Sequence, residues 1–149
     1  MTNHYVRLLA MTVLSFIAMY VLMYAMVDRF ANVYPNFNQF YMAGLMAAPM
    51  VLIELILMGE MYHNKTVNLI IGAAAILAAI LFFVSIRQQT AIDDRQFLKS
   101  MIPHHAGALL MCEEASIEDA DIRELCKTII EGQQSEIDQM KKILNRLDR

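Results

Sequence analysis

Two adjacent histidines, His104 and His105, stand between Met101 and Met111 in the last third of the chain, and Gln133, Glu136 and Met140 follow on the next predicted helix. Imidazole nitrogen accepts copper in either oxidation state as well as zinc and nickel, while thioether sulfur is soft and favours Cu(I) or Ag(I). These seven residues are the candidate metal set, and their types suit a soft ion, Cu(I) or Ag(I), with zinc and nickel open to the imidazoles. At 100° per residue, Phe97, Met101, His104, Ala108, Met111 and Ala115 share one helix face, with His105 and Cys112 on its flank and Leu98, Ile102 and Leu109 beyond. On the second helix Ile122, Cys126, Ile129, Ile130, Gln133, Ile137, Met140 and Leu144 form an apolar stripe with Gln133 at its centre. A hairpin turning near Glu118 brings His104 level with Gln133 and Met101 level with Glu136. Neighbouring histidines on a regular helix diverge by about 100°, so they do not readily chelate one ion together. Either one binds within the hairpin and the other bridges to a partner chain, or a kink at Pro103 reorients them. A reading without metal also stands, in which the histidines are satisfied by Gln133 and Glu136 inside a bundle and the methionines are adaptable packing.

A second pattern lies upstream. Met42, Met46, Met50, Glu54 and Met58 recur every four residues and form one slowly drifting helical stripe. An ionised carboxylate in hydrocarbon is costly and normally faces a partner or a cavity, so the stripe is either an ion path or lipid-compatible packing around a protonated or paired Glu54. Glu60 and His63 also have helical ligand spacing, but at an interface such residues are usually solvated.

These groups are positioned by an all-α chain of two parts, residues 1–88 and 89–149. Three apolar runs, near 6–27, 40–61 and 67–86, have the length needed to cross about 30 Å of hydrocarbon. The first continues into Asp28 and Arg29 rather than ending in a small-residue cleavage site, which favours a span over a signal peptide. Residues 32–38, with Pro35, read as a short connecting loop, and Tyr34, Phe37, Phe40 and Tyr41 cluster as an interfacial aromatic belt does. In the third run Gly72, Ala73, Ala75, Ala78 and Ala79 are small residues that let neighbouring helices approach. Asp93, with Gln96 three residues later, resembles a capping box opening the first tail helix. That helix is expected to reach about Ala115 and a second to end near Leu147, with the turn at 117–121. Pro103 removes one N–H donor and crowds the carbonyl of Lys99, which predicts a kink. The apolar arc of the first tail helix is too wide for one partner helix, so two hairpins are expected to pair as a four-helix bundle.

Composition agrees: 58% of residues are hydrophobic, too many for an ordinary small soluble domain. Before Ile86 there are three basic and three acidic residues, after it nine basic and twelve acidic. A mildly acidic tail of mixed sign lacks the basic patch a nucleic-acid partner requires. No nucleophile with a positioned base, phosphate-cradling loop or hydrolytic metal motif is visible, so no enzyme is expected. The positive-inside count is close to a tie. The only cysteines, Cys112 and Cys126, are thiols or one disulfide according to the side of the membrane on which the tail lies.

The run from Phe97 to Ala108, with its Met-x-Pro-His-His-x-Gly core, then Met111, and the later Gln133-Gln134-Ser135-Glu136-Ile137 with Met140, resembles domain-of-unknown-function family 305. The resemblance covers the tail and implies a ferritin-like, copper-binding helical hairpin, with Met101, His104, His105, Met111 and Met140 as ligands and Gln133 and Glu136 in support. It also implies a periplasmic or extracellular tail, hence a multi-pass protein of the cell (inner) membrane with a cytoplasmic N-terminus. Cys112 and Cys126 stand where that family usually has a small residue. In this departure from the family both fall on faces read as inward: if they meet across the hairpin in an oxidising compartment they form a disulfide near its turn, and reduced they are two further soft ligands. The expected function is membrane-anchored copper binding in metal homeostasis or resistance, with the lipid bilayer, the metal ion and a second copy as partners. The alternatives are a Met-lined three-span metal transporter, loosely similar to eukaryotic copper uptake channels, and a structural or partner-binding membrane protein.

Overall fold

The computed structural model describes residues 2–149 and contains five α-helices: α1 Thr2–Leu22, α2 Phe37–Leu57, α3 Lys65–Gln88, α4 Asp94–Glu114 and α5 Ala120–Leu147. Short 3-10 turns occupy Met23–Met26, Phe30–Asn32 and Gly59–Met61. Three helical stretches, His4–Met26, Phe37–Leu57 and Lys65–Gln88, are long and apolar enough to cross a membrane. The chain divides into two compact units, one of residues 1–23 and 38–90, the other of residues 24–37 and 91–149.

In the first unit α2 is the central helix, with 28% of its apolar window buried against 6% for α1 and α3. Its inward face is made of small residues, Ala43, Gly44, Ala47 and Ala48, followed by Val51. A Cβ on Gly44 would run into the Phe82 ring, so the glycine is what admits that aromatic. Phe82 meets Phe40 edge-on at 6.1 Å, and Phe40 meets Phe16 at 5.1 Å, the geometry that aromatic quadrupoles favour. The small residues of α3 contribute less than expected, since only Ala75 is fully buried and Ala73 is exposed. An apolar cavity of about 440 Å³ remains between the three helices, reached by Leu8, Phe16, Ala47, Ala75 and Phe82. Asn64 caps α3 by accepting from Val67 N–H at 3.1 Å, and Gln89, at φ 51° and ψ 44°, closes it in the left-handed region.

The second unit is an antiparallel hairpin of α4 and α5 with a strap, residues 24–37, laid against it. Asp93 caps α4 as its spacing predicts, accepting from Gln96 N–H at 2.7 Å. The Gln96 side chain does not return the bond; its Oε1 accepts from Phe37 N–H of the strap at 3.0 Å. Asp119 caps α5 with bonds from Asp121 and Ile122 N–H. The core is Leu98, Ile102, Ala106 and Leu109 of α4 against Ile137, Met140 and Leu144 of α5. This turns α4 away from the expected orientation: the residues placed beyond the arc are the buried ones, whereas Phe97 and Met111 are 50% and 54% exposed. The physical reason is that branched aliphatics at 98, 102 and 109 fill an interhelical seam better than a face interrupted by two imidazoles.

The strap replaces the simple connecting loop expected at residues 32–38. Val27 and Tyr34 pack on the hairpin core, and Tyr24 donates its hydroxyl to Tyr34 O at 2.9 Å. The Asp28 side chain is 2% exposed and receives Arg29 Nε at 2.7 Å and Asn32 Nδ2 at 2.6 Å. Burial works against its ionisation, but those two hydrogen bonds prevail and hold the carboxyl below its usual range. At Gly107 an added Cβ would sit 3.4 Å from Met26 O, so the missing side chain lets the strap backbone approach α4. Pro103 is buried within α4. Lacking an N–H, it leaves Lys99 O without its normal helical donor, and Asn36 Nδ2 of the strap donates to that carbonyl at 3.4 Å.

Candidate metal site

Successive residues of α4 send the two histidines in different directions. His104 lies on the exposed face, whereas His105 is half-buried and turned toward α5. Their ring centroids are 6.0 Å apart with planes inclined by 58°, the divergence expected for neighbours on a regular helix. His105 Nδ1 stands 3.0 Å from Glu136 Oε2, with side-chain exposures of 12% and 57%. The alignment is not that of a hydrogen bond, and the buried Nδ1 has no other partner. Burial pushes the His105 imidazole below its ordinary value; Glu136 pulls it back up and His104 adds to the depression. A neutral imidazole is the form that coordinates a metal.

Across the hairpin His105 meets Glu136. The disulfide between Cys112 and Cys126, with Cα atoms 5.3 Å apart, sets the register near the turn within one residue of the expected pairing. Met140 is 9% exposed in the hairpin core and Met101 packs against it from the side. Gln133 is half-buried. Met111 projects to the outside, as does His104. Of the seven candidates Met140 is buried, His105, Gln133 and Met101 are half-buried, and Glu136, His104 and Met111 are exposed; His105 and Glu136 are brought together across the hairpin. Among the described residues no group of three or more His, Cys, Asp or Glu could hold a metal ion, so a metal bound at His105 would draw further donors from thioether or amide groups. That donor chemistry fits a soft ion, and His105, whose Nδ1 faces Glu136 without a hydrogen bond, offers it an imidazole nitrogen.

The methionine stripe of α2 starts on the outer face. Met42 and Met46, and Met58 just past the end of α2, are more than two-fifths exposed, whereas Met50 is half-buried, so the stripe drifts from the outer face toward the flank of the small residues. Glu54 is half-buried and accepts a hydrogen bond from Tyr62 at 3.2 Å. Tyr62 stacks on Tyr5 at 5.3 Å, and Tyr5 donates to Asn68 Oδ1 at 2.7 Å. The stripe's carboxylate is thus tied to a polar cluster, which agrees with the paired reading. What the sequence did not disclose is the strap with its Asp28–Asn32 pair. The only signal available was the helical spacing of two polar residues inside a run that looked like a linker.

Residues 85–144 match the family described as a domain of unknown function, DUF305. Over almost its whole length the chain is similar to the uncharacterized protein L153 of Acanthamoeba polyphaga mimivirus, with 35% identity over 141 residues, covering 93% of this chain and 91% of that protein. No solved structure matches.

Proposed function

We propose that this chain, which belongs to the family of the mimivirus protein L153 and carries a DUF305 domain, is a membrane-anchored binder of Cu(I), with Ag(I) as the chemically similar alternative ion. The observation that carries the reading is the half-buried His105, whose Nδ1 lacks a hydrogen-bond partner, on a hairpin that also presents Met101 and Met140. An imidazole disposed to stay neutral beside soft sulfur is suited to Cu(I) and poorly suited to hard cations. Glu136 supplies charge compensation and orientation rather than a strong bond to a soft ion, and Gln133 does the same without charge. The role is tolerance or delivery of metal, not catalysis.

His104 and Met111 give the hairpin an outward face, continued by Phe97 and, on α5, by Ile122 and Leu125, which are 49% and 57% exposed. Two hairpins meeting there complete a four-helix bundle and bring the outer pair of donors into the assembly. The ferritin-like description and the placement of the tail outside the cytoplasm, with the N-terminus inside the cell membrane, belong to this proposal. The disulfide supports that placement, because such bonds persist in oxidising compartments.

The test is anaerobic Cu(I) titration of the detergent-solubilised full chain against a chromophoric Cu(I) chelator. His105→Ala and Met101→Leu are expected to weaken binding by at least about tenfold each, since a lost ligand is worth more than about 1.4 kcal/mol. Unchanged affinity and stoichiometry in both variants would overturn the proposal.

A further inference from the structure

Cys112 lies in the last turn of α4 and Cys126 in the second turn of α5, joined as a disulfide with Cα atoms 5.3 Å apart. Cys126 is 9% exposed and Cys112 is half-buried. Their neighbours one turn away are Ala108, Leu109, Ala115 and Ser116 around Cys112 and Ile122, Arg123, Ile129 and Ile130 around Cys126, none of them a thiol, thioether, imidazole or carboxylate. The described residues contain no His, Asp or Glu that would complete a group of three with these sulfurs. The helices that carry them are held by Ile102, Leu109, Ile137 and Met140, contacts that do not require the disulfide. Opening it therefore leaves two sulfurs facing each other across a packed hairpin with nothing else to bind.

We infer that the reduced Cys112–Cys126 pair is a two-coordinate thiolate site for a soft monovalent ion, Cu(I) or Ag(I), separate from the His105–Glu136 set and closed by oxidation. A dithiol reductant gives two electrons and two protons to the disulfide and becomes a disulfide itself, leaving two thiols. The ion then displaces both S–H protons to solvent and forms two metal–sulfur bonds, giving a singly negative S–metal–S unit. Bonds of about 2.3 Å place the sulfurs no more than ~4.6 Å apart, a span that Cα atoms 5.3 Å apart permit by rotation about each Cα–Cβ bond. Two donors in an apolar setting exclude zinc, which takes four ligands in structural sites, and the soft thiolates disfavour magnesium and calcium. The site stands independently of the imidazole set.

The experiment compares the full chain in its oxidised and its dithiol-reduced, desalted forms, titrated anaerobically with Cu(I) against the same chelator. Reduction is expected to add one Cu(I) per chain, with a thiolate-to-copper charge-transfer band. That increment is lost in Cys112→Ser and retained in His105→Ala, which separates its failure from failure of the imidazole site. Equal stoichiometry in the two redox states, or an increment that survives Cys112→Ser, would overturn the inference. Should Cys112→Ser fail to fold, maleimide labelling of the reduced wild-type chain decides: Cu(I) is expected to slow modification of both cysteines by about tenfold or more, Zn(II) to leave it unchanged, and no slowing by Cu(I) refutes the site.

Discussion

The contact between Asn36 and the carbonyl that Pro103 leaves free makes a double-mutant cycle with a calculable outcome. Asn36 is 3% exposed and donates from Nδ2 to Tyr34 O at 2.9 Å and to Lys99 O at 3.4 Å. Asn36→Ala removes both bonds from a buried position, which costs about 1–3 kcal/mol. In a Pro103→Ala background residue 103 supplies its own N–H to Lys99 O, so the strap's contribution there becomes redundant. A long 3.4 Å bond places its share at the lower end of the ordinary range, about 0.5–1 kcal/mol. The penalty of Asn36→Ala should therefore be smaller by that amount when Pro103 is absent, roughly a two- to fivefold difference in the opening equilibrium. Hydrogen exchange of the 24–37 segment, read by mass spectrometry on the full chain in nanodiscs, measures it directly. Penalties equal within about 0.3 kcal/mol in the two backgrounds would refute the claim that the strap repairs the proline's missing bond.

Ile137 is fully buried against α4, so Ile137→Ala should cost about 2–5 kcal/mol in denaturant unfolding of the tail, whereas Leu125→Ala, at 57% exposure, should change little. Because burial depresses the His105 imidazole below its ordinary 6.5, the unfolded chain binds more protons there, and stability should fall as pH drops from about 6.5 through the lower folded value, then level off. Glu136→Gln removes the opposing pull and should move the His105 midpoint lower, followed by NMR titration of the imidazole; an upward movement would contradict the assignment. Ala91 holds φ 57° without being glycine, a conformation that costs an L residue about 1–2 kcal/mol, so Ala91→Gly should raise the midpoint of thermal unfolding.

The element count, the helical class and the cap of α4 were legible because length, hydropathy and Asx chemistry are local properties. Asp93 and Gln96 announce the start of α4 whatever else the chain does, and the three apolar runs announce themselves by length alone. The rotation of α4 was not legible in the same way. Its sequence offers two adjacent apolar faces, one with Phe97, Met101 and Met111 and one with Leu98, Ile102 and Leu109, and the choice depends on which packs into α5 without burying His104. The candidate site inherited that ambiguity: His105 meets Glu136, while His104, expected level with Gln133, lies on the exposed face of α4. The strap was illegible for another reason. Its bonds to Lys99 O and Gln96 Oε1 join residues some sixty positions apart, and no periodicity within residues 24–37 signals where such partners lie.

For the membrane-anchored protein proposed above, the strap also constrains how the polypeptide threads the bilayer. Residues 24–37 precede α2 and residues 91–149 follow α3, yet they build one compact unit. Two segments can meet only in the same aqueous compartment, so the chain between them makes an even number of crossings: α2 and α3 both traverse the membrane, or neither does. Parity of this kind does not depend on counting positive charges, which here are almost balanced. It makes any fusion or epitope placed in the first loop report the same side as one placed at the C-terminus. It also means that a tail truncated to residues 89–149 would be delivered without part of its own structure.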